Sequence, residues 1–184
     1  KVSVIGNFKF DMDMPEKIPS WAENLKAPVI VAGSTHKGEE EIIISAFNEN
    51  LNRFPELKLV LAPRHPERFK EVEDILKTSG LLYVKRSELG NQKKTLPFHP
   101  GGEGGLLHED SSHINFNFQV ILLDSICELS AVYSVADIAL IGKSFMSVGG
   151  QNPLETAYWG KHVLCGPHME NFPFITDFYH EGAA

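Results

Sequence analysis

Short runs of β-branched and leucine residues, each followed by a longer amphipathic stretch, recur along this chain, and few architectures accept that alternation. The first run is Pro28-Val29-Ile30-Val31-Ala32, followed by Gly33-Ser34-Thr35 and an acidic helix start whose apolar positions are Ile42, Ile43, Ile44, Phe47 and Leu51. Leu57 to Ala62 is the second, with Pro66 opening a helix through Phe69, Val72, Ile75 and Leu76 that Gly80 closes. Leu81 to Val84, Val120 to Leu123, Ile138 to Ile141 and His162 to Cys165 supply further strands, with helices expected from Asp124 or Ser125 to Ser134 and from Asn152. Strands without polar alternation are buried on both faces. The pattern therefore predicts an α/β fold, a parallel sheet with helices on both faces.

Nothing divides residues 1–184 into two cores, and 42% hydrophobic residues suffice for one domain. With 17 basic against 24 acidic side chains the net charge is −7, the wrong sign for a protein that neutralises phosphates, so no nucleic-acid partner is expected. Cys127 and Cys165 have no CxxC spacing and cannot form a disulfide framework, which fits a reducing, cytosolic setting. No apolar run approaches the roughly 18 to 20 residues that span a bilayer, and the first residues lack a signal-peptide pattern. A soluble domain is expected, with any membrane contact peripheral or made through further chain. The pattern breaks over 87–117, which contains Pro100-Gly101-Gly102-Glu103-Gly104-Gly105 and reads as a Gly-rich insertion loop. His99, His108, Glu109, Asp110 and His113 within it match no metal-ligand spacing, and neither metal nor cofactor is expected.

In an open parallel sheet, ligands bind beyond the carboxyl ends of the strands. After the first strand stand Ser34, Thr35, His36 and Gly38, then Glu39-Glu40-Glu41. A hydroxyl N-cap with carboxylates complementing the helix dipole explains the glutamates, though not His36 or Gly38. After the second strand, Pro63-Arg64 sets an arginine where it could pair with a phosphate or with a neighbouring acid. Asp124-Ser125-Ile126-Cys127-Glu128 has the Ser-x-x-Glu spacing of a capping box. In Gly149-Gly150-Gln151-Asn152-Pro153-Leu154-Glu155 a glycine turn leads to Asn152 as candidate N-cap and Pro153 at the first helical position. Glu155 would repel a phosphate, so a neutral diol such as a ribose suits it better. These residues suggest a nucleotide-binding half-domain. The chain has neither Gly-x-Gly-x-x-Gly nor a Walker lysine, which argues against a dinucleotide dehydrogenase and a P-loop NTPase.

Taken in order, Gly6-Asn7-Phe8-Lys9-Phe10-Asp11, Ser34-Thr35-His36-Lys37-Gly38-Glu39-Glu40, Pro63-Arg64-His65-Pro66-Glu67-Arg68-Phe69, Gly149 to Glu155, and Gly166-Pro167-His168 with Asn171-Phe172 resemble the C-terminal, donor-binding half of bacterial Kdo transferases. Those enzymes move 3-deoxy-D-manno-oct-2-ulosonic acid (Kdo) from CMP-Kdo to a lipid A precursor in lipopolysaccharide biosynthesis. The resemblance covers nearly the whole chain. It implies a GT-B glycosyltransferase, with this chain as the Rossmann-like CMP-sugar domain, 1–14 as hinge, and an acceptor domain outside the sequence. The family's roles would place CMP against Pro63, Arg64, Ile126, Cys127, Glu128, Asn152, Pro153, Leu154 and Glu155, with Ser34, Thr35, His36, Ser144 and Gly150 as further donor contacts. Lys9 would match a lysine that stabilises charge developing on the leaving phosphate. The general base and the membrane anchor would belong to the N-terminal domain, so the isolated chain is expected to bind CMP-Kdo without transferring sugar. The whole enzyme would invert configuration, without a metal, at the cytoplasmic face of the inner membrane.

The sequence departs from the family pattern at three points. Cys127 stands where Asp-Thr-x-Gly-Glu-Leu has glycine, Lys143 replaces the second glycine of Gly-Gly-Ser, and Gln151 replaces the histidine of Gly-Gly-His-Asn. Two alternatives share the fold: another GT-B enzyme using a UDP-sugar, transferase or epimerase, and a non-catalytic nucleotide-binding module.

Overall fold

The computed structural model describes residues 15, 17–25, 28–89 and 118–180. Lys9, the hinge and the histidines and acids of the insertion lie outside the described residues. Among the described residues, six strands form one parallel sheet: β1 (Val29–Thr35), β2 (Lys58–Pro63), β3 (Tyr83–Lys85), β4 (Val120–Leu122), β5 (Ile138–Ile141) and β6 (His162–Cys165). Their order across the sheet is β3-β4-β2-β1-β5-β6. The helices are α1 (Ser20–Glu23), α2 (Glu39–Leu51), α3 (Phe69–Ser79), α4 (Leu129–Val132), α5 (Leu154–Tyr158) and α6 (Phe174–His180).

Successive residues of the central strands point to opposite faces, and each face has its own core. Ala32, Leu59, Leu61, Val120 and Leu122 meet Ile43, Ile44 and Phe47 of α2 and Val72 and Leu76 of α3. Val29, Val31, Val60, Ala62, Ile121 and Ala139 meet Trp21 and Ala22 of α1, Val132 of α4, and Tyr133. Met169, Phe172 and Phe174 close a third cluster over Ile141, Val163 and Cys165. Each fully buried leucine or valine here is worth about 1.5–3 kcal/mol over its exposed state. This is the α/β sandwich the apolar runs predict. Ile42 departs from it: it is half exposed on α2 and takes no part in the buried face.

Two local starts differ from the sequence expectation. β1 continues through Ser34 and Thr35, which are therefore not an N-cap; α2 begins instead after Gly38, at φ 90°, with no side-chain cap. The pairing of β1 with β2 shifts between Gly33 and Thr35, where Ser34 has φ 55°. The helix expected from Asp124 or Ser125 begins only at Leu129, because Cys127 at φ 68° takes the backbone off the helical path. In contrast, α3 follows a short turn at Pro66–Arg68 and ends on Gly80 at φ 79°, as its punctuation indicates.

Candidate functional site

The helices after β1 and β2 cover one face of the sheet and α4 covers the other, so loops diverge at the carboxyl edge of the strands. Among the described residues, the three non-glycines with positive φ all lie on that edge: Ser34 at β1's bulge, Cys127 after β4 and Lys143 after β5. An L-residue in that region costs roughly 1–2 kcal/mol, so the surrounding contacts must hold it there. Two of the three, Cys127 and Lys143, are the positions where the resemblance drawn from the sequence leads one to expect glycine.

Glu39 provides one such set of contacts. It is fully buried, and its carboxylate accepts the backbone N–H groups of His36 and Lys143 on one oxygen (2.9 and 2.8 Å) and of Ser144 and Phe145 on the other (both 3.0 Å). It therefore ties the start of α2 to the loop after β5. Glu40 is equally buried and takes the Thr35 hydroxyl at 2.7 Å and both guanidinium arms of Arg68 at 2.7 and 3.1 Å. Helix-dipole complementation alone does not account for these glutamates. Their role is visible only with the partner segments in place.

Around this frame the predicted residues divide. Arg64 is exposed beyond β2, its N–H bonded to the Thr35 carbonyl at 3.0 Å, while Pro63 is buried at the strand end. Burial pushes the Glu155 carboxyl up from the ordinary glutamate range, only partly offset by a hydrogen bond from Ser130 and the charge of Arg64. Structure thus brings Arg64 and Glu155, 91 positions apart (155 − 64), into one electrostatic neighbourhood. Asn152 Oδ1 accepts the Leu154 N–H at 3.1 Å, and the Pro153 carbonyl takes the first helical bonds of α5. Gly150 has φ 64° and a buried position where a Cβ would lie 2.4 Å from the Met169 sulfur, so its glycine serves the turn itself.

His36 Nδ1 lies 3.0 Å from the Ser34 carbonyl, and its ring meets His65 edge to face at 5.5 Å. Burial pulls the His36 pKa down, against the opposing pull of the Ser34 carbonyl and Glu39. Thr35 and Ser144 are fully buried. The Thr35 hydroxyl goes to Glu40; that of Ser144 donates to the Ile141 carbonyl and accepts from Gly166 N at 2.8 Å. Both hydroxyls are thus used in the framework.

The loop after β4 presents Ile126, 69% exposed, and an exposed Cys127 at its apex. Glu128 does not complete a capping box. Its carboxylate accepts the Ser125 hydroxyl at 2.5 Å and is held by Arg86 through Nε at 2.8 Å and Nη2 at 2.7 Å. Ser130 and Arg86 are the participants that sequence analysis missed. Ser130 lies on a four-residue helix with no motif, and Arg86 faces an acid 42 positions away, a pairing that no local spacing signals. Among the described residues no group of three or more His, Cys, Asp or Glu side chains is placed to hold a metal ion. Nor is any described helix long and apolar enough to cross a membrane.

No family model matches the chain. It is 36% identical over 181 residues to the 3-deoxy-D-manno-octulosonic acid transferase of Haemophilus influenzae, covering 95% of this chain and 37% of that protein. It is 34% identical over 177 residues to the enzyme of the same name from Bordetella pertussis, covering 92% and 36%. The chain thus spans a little over a third of the length of these relatives. Among solved structures, the C-terminal CMP-Kdo binding domain of WaaA from Acinetobacter baumannii superposes with a TM-score of 0.67 at 30% identity, over 89% of this chain and 73% of that one. The parallel sheet, the strand-end motifs and that domain agree, and this chain belongs to the family of 3-deoxy-D-manno-octulosonic acid transferases, where it corresponds to the C-terminal domain.

Proposed function

We propose that this domain binds the CMP part of CMP-Kdo at the carboxyl edge of its sheet, as the donor-binding half of an enzyme that transfers Kdo to a lipid A precursor. The observation that carries the site is Glu155, half buried beside Asn152 at the carboxyl edge and within the field of the exposed Arg64. A guanidinium suits the phosphate, and a carboxylate suits the ribose hydroxyls. Titratable groups displaced from their ordinary range by burial and a specific partner concentrate at binding sites. The Ile126–Glu128 loop flanks the same edge and offers backbone groups to the base. Pro63, Pro153 and Leu154 would supply apolar contacts, and Ser34, His36 and Gly150 further contacts to the donor. Thr35 and Ser144 act on the ligand only through the loops they brace.

In the complete enzyme, Lys9 would oppose charge building on the leaving CMP phosphate, and a carboxylate base of the other domain would deprotonate the acceptor hydroxyl for direct displacement with inversion. Membrane contact at the cytoplasmic face of the inner membrane, and the lipid acceptor, belong to that larger protein. Calorimetric titration of the chain with CMP, UMP and UDP tests the donor site. CMP preference, weakened ten- to a hundredfold in Arg64→Ala by loss of a charge-assisted bond worth about 1.5–3 kcal/mol, is the expected result. UDP preference would replace this function with a UDP-sugar enzyme, and no nucleotide binding would leave a domain that kept the fold alone.

A further inference from the structure

We infer that the short turn Arg86–Glu88, which follows β3 and belongs to none of the motifs read from the sequence, positions the nucleotide-facing loop, with Arg86 as its working residue. This rests on the donor site proposed above. The loop after β4 is held at both ends by two adjacent residues of that turn. At its start, Asp124 accepts the Ser87 N–H at 2.8 Å and the Ser87 hydroxyl at 2.6 Å. At its end, Arg86 grips both oxygens of Glu128, and the Ser125 hydroxyl closes onto the same carboxylate. Between these clamps stand Ile126 and Cys127, exposed, with Cys127 in the left-handed region that a non-glycine leaves unless it is held.

Arg86 is itself fixed from behind, its guanidinium 5.4 Å from the centroid of the Trp21 ring. The two side chains of the Arg86–Glu128 pair are 24% and 25% exposed, so solvent screening limits what it adds to stability. Its bidentate geometry nonetheless sets the orientation of the loop, since two parallel N–H bonds fix a plane where one would allow rotation. Burial pushes the Glu128 carboxyl up, but Arg86 and Ser125 outweigh it and hold the group below the ordinary glutamate range. Removing Arg86 would therefore take away the strongest influence that favours the ionised Glu128.

The test compares the 184-residue chain with its Arg86→Ala and Arg86→Lys variants in three measurements: CMP affinity across pH, urea unfolding, and protection of Cys127 from iodoacetamide by CMP. Arg86→Ala should weaken CMP about tenfold with little change in the unfolding midpoint, and lose Cys127 protection at concentrations that protect the wild type. It should also move the acid loss of binding toward neutral pH, because Glu128 without its cation takes up a proton sooner. The nucleotide's own titration is common to all three proteins and cancels in the comparison. Arg86→Lys, which folds with the charge in place, should restore much of the pH profile but not the affinity, since one ammonium cannot hold both oxygens in a plane. Wild-type affinity and pH profile in Arg86→Ala would overturn the inference and leave the donor site standing. Failure of the wild type itself to bind CMP would overturn the donor site, and this inference with it.

Discussion

The Glu39 carboxylate accepts four backbone N–H groups with no room for a donor of its own, so Glu39→Gln would aim an amide N–H₂ at two of them. Buried donors left unpaired cost about 1–3 kcal/mol each, and a loss of roughly 3 kcal/mol or more in urea unfolding is expected. Cys127 and Lys143 show the opposite imbalance. Replacing either by glycine removes roughly 1–2 kcal/mol of left-handed strain and adds back part of it as chain entropy, for a net gain of about 0.5–1 kcal/mol in the same measurement. At Glu155 stability and the proposed binding meet. Its carboxyl is raised in the folded chain, so its contribution is fully present below the ordinary glutamate range, near pH 4 or about there, and is lost as pH rises through the raised value. Glu155→Gln should therefore be more stable than wild type at pH 7, equal to it in acid, and weaker for CMP. A variant that is neutral in both stability and binding would remove Glu155 from the site.

At the scale of elements, most strands and helices were legible because their burial is periodic and their ends carry Gly and Pro. α3 with Gly80 is the clearest case, and β5 and β6 occupy the expected residues. The departures all come from contacts made across elements. Ser34 and Thr35 look like a cap until Glu40 claims the Thr35 hydroxyl, and Ser125 looks like a cap until Arg86 claims Glu128. Elements also meet closely at Gly33 of β1, where a Cβ would lie 1.8 Å from the buried Tyr133 hydroxyl in the turn that follows α4. Gly33→Ala should consequently cost several kcal/mol, roughly the upper range for overpacking, read as a fall in the thermal midpoint. Gly80→Ala, with no atom within 4 Å, meets no such obstacle and should lose only about 1 kcal/mol through its positive φ.

For the whole molecule, the consequence of the proposed site on the strand ends is that ligand binding and folding would be linked. A nucleotide that binds only the folded chain adds RT ln(1 + [L]/Kd), about 2.7 kcal/mol at a hundredfold excess over Kd, so CMP should raise the thermal midpoint while UDP at the same concentration raises it less. Equal shifts with both nucleotides would count against cytidine recognition. The sequence by itself determined that there would be a parallel sheet between helices, and where the strand-end loops would fall, because buried strands and glycine turns are written in neighbouring residues. It also carried the motifs by which the family is recognisable. Only the tertiary structure decided that β4 lies between β2 and β3, that Glu39 pins residues 143–145, and that Arg86 rather than a helix end holds Glu128. Those outcomes depend on which distant groups become neighbours once the sheet has closed its two cores, and on the demand that each buried charge and amide then find a partner. A local pattern states which residues are buried. It does not state what they are buried against.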